Sequence, residues 1–175
     1  MAAQGSKLVG DTEIPLLLLE EPLTYRMLQF RFESAVDFVA EARKILRSLK
    51  PKVRLQAAFV PPSHFGHDMT SPRSWLTIQS YQKYRDVVDE IYCVVHYDPD
   101  TVRFETERAV AAAEGKVKII TSMRLYGATR PDEVAPLAEA ALAGGSDGVS
   151  FLGYDVATDE LLQSLRYWAD SKKGK

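Results

Sequence analysis

The stretch VKIITSMRLYGATRPDEVAPLAEAALAGGSDGVSFL, residues 117–152, decides the fold. Its first part, Val117–Leu125, is a short apolar run with β-branched residues, as a buried strand requires. Tyr126-Gly127-Ala128 is a loop. Thr129 as N-cap and Pro131 in the first turn open a helix that runs to about Ala143. Gly144-Gly145 end that helix, and Gly148–Leu152 form the next strand. A strand, a helix and a strand in this order pair in parallel through a right-handed crossover.

The same unit recurs outward in both directions. Val87–Tyr97 reads as a strand, and Asp98 caps a helix that reaches Glu114, with Gly115 at its C′ position. Val53–Val60 is an earlier strand. It leads into PPSHFGHDMTSP, a polar loop, and a helix from Ser71-Pro72 to about Tyr84. Ile14–Leu19 is the first strand, ending at Glu20-Glu21-Pro22. A polar, aromatic connector follows, then a helix near Glu33–Leu49 with apolar residues recurring at three and four, stopped by Pro51. At the other end, Thr158 caps a helix over Asp159–Trp168. The expectation is five βα units in a single α/β domain spanning 1–175, with flexible tails at 1–12 and 170–175. Two architectures fit: a contiguous part of a (β/α)8 barrel, or an open doubly wound sheet of the flavodoxin kind.

Composition sets the limits. The chain has 175 residues, 46% hydrophobic and 26% charged, with a net charge of -2. Those values exclude a disordered, collagen-like or disulfide-stapled chain. The length accommodates one domain but falls short of the roughly 250 residues of a complete (β/α)8 barrel. A strongly basic field for nucleic acid is absent, and the apolar runs are too short for a bilayer. The opening MAAQGSKLVGD lacks the apolar stretch of a signal peptide. With a single cysteine, Cys93, in an apolar strand, the expected compartment is the cytoplasm. No phosphate-cradling glycine motif calls for a nucleotide cofactor, so none is expected.

Four segments carry a resemblance that favours the barrel. They are FRFESAVDFVAEARKILRSLKPKVRLQAAFVPP (residues 30–62), SWLTIQSYQKYRDVVDEIYCVVHYD (74–98), KVKIITSMRLYG (116–127) and ALAGGSDGVSFLGYD (141–155). Together they resemble the C-terminal half of glycosyl hydrolase-like (β/α)8 barrels of the family-ten-like kind. The resemblance implies that the five strands are strands four to eight of a TIM barrel. It also implies a carbohydrate-directed protein, either a glycoside hydrolase-like enzyme or a relative that only binds glycans. Glu20-Glu21-Pro22 stands where that family carries an acidic residue with an arginine.

Working residues of parallel βα proteins gather at the carboxyl ends of strands. Here those ends carry Glu20 and Glu21; Ser63, His64, His67 and Asp68; His96, Tyr97, Asp98 and Asp100; Arg124 and Tyr126; and Tyr154 and Asp155. Glycoside hydrolysis needs two carboxyl groups. Glu20 or Glu21 is the first candidate, with Asp98 or Asp155 as the second. Tyr97, Tyr126 and Tyr154 could stack on sugar faces, while His64, His96 and Arg124 could hold hydroxyls. The competing reading makes Asp98 and Asp155 helix and turn caps. His64, His67 and Asp68 match no zinc spacing and read as a loop rather than a metal site. The expected partner is a carbohydrate or small polar ligand. A partial barrel also leaves open edges that a second copy or a partner subunit could cover.

Overall fold

The computed structural model describes residues 21–60, 79–95, 98–127 and 129–173. The expected first strand, the Pro- and His-rich loop, Glu20, His64, His96 and Tyr97 lie outside them. Helix α1 (Pro22–Leu49) precedes strand β1 (Gln56–Phe59), the short helix α2 (Tyr81–Tyr84) and β2 (Glu90–Val94). Helix α3 (Pro99–Ala113), β3 (Lys118–Arg124), α4 (Val134–Ala143), β4 (Gly148–Leu152) and α5 (Asp159–Lys172) complete the series.

Helix α1 begins eleven residues before the expected Glu33, so the connector is helical. Pro22 sits at the first helical position, where its fixed φ suits the start and its missing N–H costs nothing. No glycine or further proline interrupts residues 23–49, and the helix takes the whole run. Thr129 is not a cap: its hydroxyl donates to the carbonyls of Arg124 and Tyr126. The turn Pro131–Glu133 starts from Arg130 instead, whose N–H donates to the Glu133 carboxylate at 2.8 Å. The expected tail from residue 170 is helical as far as Lys172.

The four strands form one sheet in the order β1-β2-β3-β4, and every pair is parallel. A doubly wound sheet needs a reversal of strand order. Among the described strands there is none. Two aspartates repeat one clip in alternate units. Asp89, just before β2, accepts from Leu55 N–H at 2.9 Å, and its own N–H donates to Leu55 O at 2.8 Å. Asp147, just before β4, does the same with Ile119, at 2.9 and 2.8 Å. Each clip closes the amino-terminal end of a parallel pair, where the ladder has not yet begun.

The described helices that contact the sheet lie on one face of it. Phe59 meets Tyr81 and Tyr84 edge to face, at ring separations of 5.4 and 4.9 Å. The Thr121 hydroxyl bonds that of Thr106 on α3 at 2.9 Å. Phe151 meets Trp168 of α5, and Ala35, Val36 and Val39 of α1 join the same core. Ile91, Cys93, Ile119 and Met123 fill this side and are fully buried. Helices α3 and α4 touch closely at Gly144, where a Cβ would lie 2.9 Å from Arg103 O and 2.8 Å from Thr106 Cβ.

Side chains alternate across a strand, so the opposite face carries the residues between these. The register sets Ala58, Tyr92, Ile120 and Gly148 side by side in one row. Val94, Ser122 and Ser150 form the next row toward the carboxyl ends, and Arg124 and Leu152 the row after that.

Candidate functional site

Parallel pairing without reversal brings the carboxyl ends of β2, β3 and β4 to one rim. Arg124 is the last residue of β3 and is half-buried. Among the described residues its guanidinium has no hydrogen bond or ion pair. Two residues earlier on the same face, Ser122 is fully buried and its hydroxyl has no partner among the described residues. A buried hydroxyl left without a partner costs about 1–3 kcal/mol. Ser150, its register neighbour on β4, lies beside it. These serines escaped the sequence reading. The signal was the alternation within KIITSMR, which places Ser122 and Arg124 on the face away from Thr121 and Met123.

Beyond the strands, the chain turns through Tyr126 and Tyr154. Gly153 has φ +80°, and a Cβ there would lie 2.2 Å from Tyr126 Cδ1. The Tyr126 ring therefore rests on the glycine backbone, tying the β3 loop to the β4 loop. Leu125 N–H donates to Leu152 O at 2.8 Å and extends the pairing one step. Tyr154, at 66% exposed, opens the turn Tyr154–Val156 that also holds Asp155. Arg124, Tyr126, Tyr154 and Asp155 thus share the loops of two neighbouring strands.

The other carboxylates are placed differently. Asp98 is the N-cap of α3: its oxygens accept from Thr101 N–H at 3.0 Å and from the Thr101 hydroxyl at 2.8 Å. Those two bonds, the backbone one first, hold its carboxyl below the usual carboxylate range. A group held ionised in this way is a poor general acid. Glu21 is exposed in the N-cap position of α1, and its side chain makes no capping bond. Among the described residues, no hydrogen bond or ion pair joins Glu21, Asp98 and Asp155.

Polar groups also lie on the helix side of the sheet. Glu105 is buried, receives Arg108 at 2.9 Å, and among the described residues leaves one carboxylate oxygen without a partner. The Tyr81 hydroxyl lies against the Cys93 thiol, and burial pushes its pKa well up. Burial also pushes the Cys93 thiol up to about 12, which makes it a core residue rather than a nucleophile. A cavity of about 500 Å³ lined by Gln79, Tyr81, Arg108 and Ala112 adjoins α2 and α3, apart from the rim. Among the described residues, no three His, Cys, Asp or Glu side chains converge as a metal would require, and no helix is long and apolar enough to cross a membrane.

The fold and rim define a parallel α/β protein with its polar loops gathered at the carboxyl ends of the strands. No family model matches this chain, and neither curated proteins nor solved structures yield a significant match.

Proposed function

We propose that the chain is a carbohydrate-directed segment of a (β/α)8 barrel, equivalent to strands four to eight, that binds a polyhydroxylated ligand at the rim of β3 and β4. The observation that carries this reading is Arg124. Among the described residues it has no partner; it shares a face with the Ser122 hydroxyl, likewise without one there, and is flanked by the loops of Tyr126 and Tyr154. A half-buried guanidinium normally finds a partner, and a ligand hydroxyl is a partner of the right chemistry. Arg124 would donate to ligand oxygens, Asp155 would accept from hydroxyls, and the exposed Tyr154 ring offers a platform for a sugar face.

The barrel reading draws support from the sheet face that no described helix contacts. Parallel sheets are covered on both sides, and in a barrel the second side closes on itself. Ala58, Tyr92, Val94 and Ile120 are the small and apolar residues such an interior takes. Binding is favoured over hydrolysis, because Asp98 is committed to a helix cap. Hydrolysis would then fall to Glu20 or Glu21 with Asp155. The expected result is that glycans titrated into the protein bind, and that Arg124→Ala weakens them at least tenfold with the fold unchanged by circular dichroism. If the same glycans are cleaved, Glu20→Gln or Glu21→Gln should abolish turnover. Equal affinity of wild type and Arg124→Ala would refute the rim.

A further inference from the structure

Helix α1 has two faces. Ala35, Val36 and Val39 join the core, and Arg43 donates to Asp86 O and to the Asp89 carboxylate at 2.9 and 2.7 Å. The opposite side carries a second apolar stripe. Leu23, Met27, Phe30, Phe38 and Ile45 are between 53% and 75% exposed. With Ser34 and Glu41, they fall within a sector of about 80° at 3.6 residues per turn. A face of this kind on a 28-residue helix is far larger than the single exposed apolar residues normal on a surface.

The order of the stripe is palindromic about Ser34. Phe30 and Phe38 stand four residues either side of it, Met27 and Glu41 seven, and Leu23 and Ile45 eleven. A two-fold axis makes the same patch on both copies self-complementary, with residue i meeting j and j meeting i. An antiparallel pair of α1 helices centred on Ser34 satisfies that condition. Phe30 packs beside the second copy's Phe38, and Leu23 beside its Ile45, and the reverse. The small Ser34 side chains sit at the crossing, where the helices come closest.

Charge agrees with the same register. Arg26 is exposed on the flank of the stripe and has no partner among the described residues. The palindrome sets Glu41 of the second copy opposite Met27, one residue or about 1.5 Å along the axis from Arg26, and among the described residues Glu41 pairs with Lys44, at 3.6 Å. Two Arg26–Glu41 pairs therefore bracket the Phe30–Phe38 contacts and oppose a parallel arrangement. We propose that the outward face of α1 is a homodimer interface, in which two copies of this chain pack antiparallel about Ser34. The interface is independent of the rim, and of the outer strands β1 and β4 of the described sheet.

The experiment combines mass and cross-linking on the full chain. Sedimentation equilibrium should give a dimer that Phe30→Glu and Phe38→Glu each convert to monomer, with circular dichroism unchanged. Arg26→Glu should weaken the dimer, and Glu41→Arg added to it should restore the dimer. Under oxidation, Ser34→Cys should form a covalent dimer, because the native Cys93 is buried and does not compete. Ser48→Cys should not, because it lies about 21 Å along the axis from the two-fold at 1.5 Å per residue. A wild-type monomer overturns the proposal. So does a dimer that survives both Phe substitutions, a Ser34→Cys protein that does not cross-link, or a Ser48→Cys protein that does.

Discussion

Gly153 shows how a single residue shapes the rim. Its φ of +80° belongs to the left-handed region, and the Tyr126 ring occupies the space a Cβ would need. Gly153→Ala therefore meets two penalties. The backbone term alone is about 1–2 kcal/mol. The ring must also move, which loosens the loop beside Arg124. The expected outcome is a lower melting temperature together with weaker ligand binding, read by thermal unfolding and calorimetry. An unchanged melting temperature would mean that the ring does not rest on this glycine. In the sequence, Gly153 reads as a glycine at a strand exit, of the kind that can also approach a phosphate. Its contact with a residue 27 positions earlier depends on register, which no local pattern carries.

Asp89 shows the same dependence for charge. Burial raises its pKa, but the Leu55 N–H and the guanidiniums of Arg43 and Arg47 outweigh that, and the net shift is downward. A carboxyl with a lowered folded-state pKa adds stability above its unfolded value near pH 4. That stability is lost as pH falls through the lower, folded value. Asp89→Asn should cost about 1.5–3 kcal/mol at neutral pH, the range for hydrogen bonds to charged groups. The gap should close as the solution is acidified. Denaturant unfolding of both proteins across the acid range measures this, and a gap that widened toward low pH would contradict it.

At the scale of elements, most of the sequence pattern reads directly. Gly148–Leu152 is the strand expected there, and Thr158 caps the helix it was expected to cap, by accepting from Leu161 N–H. Asp98 shows the limit of such reading. Its position at a strand end was open to both chemistry and capping, and only the Thr101 bonds show it engaged as a cap. Replacing it with alanine should destabilise α3 by about 0.5–2 kcal/mol, as for other N-cap losses. Ligand affinity should stay unchanged. A stability unaffected by Asp98→Ala, with affinity lost, would return Asp98 to the site. The start of α1 was misjudged for a different reason. Polar and aromatic residues at 23–32 look like a connector by composition, yet none of them breaks a helix, and Pro22 favours its start.

For the whole molecule, the sequence pointed to parallel βα units, and the structure shows four consecutive parallel strands. It left closure open, because closure depends on what covers the face that no described helix contacts rather than on any one element. The central claim is that the rim of β3 and β4 is the ligand site of such a barrel segment. Its most direct test is an amide NMR titration of the chain with a panel of neutral and acidic glycans. Shifts should concentrate on residues 122–127 and 150–156 and be lost in Arg124→Ala. Shifts centred on the cavity beside Tyr81 and Arg108, or the same shifts in Arg124→Ala, would contradict it.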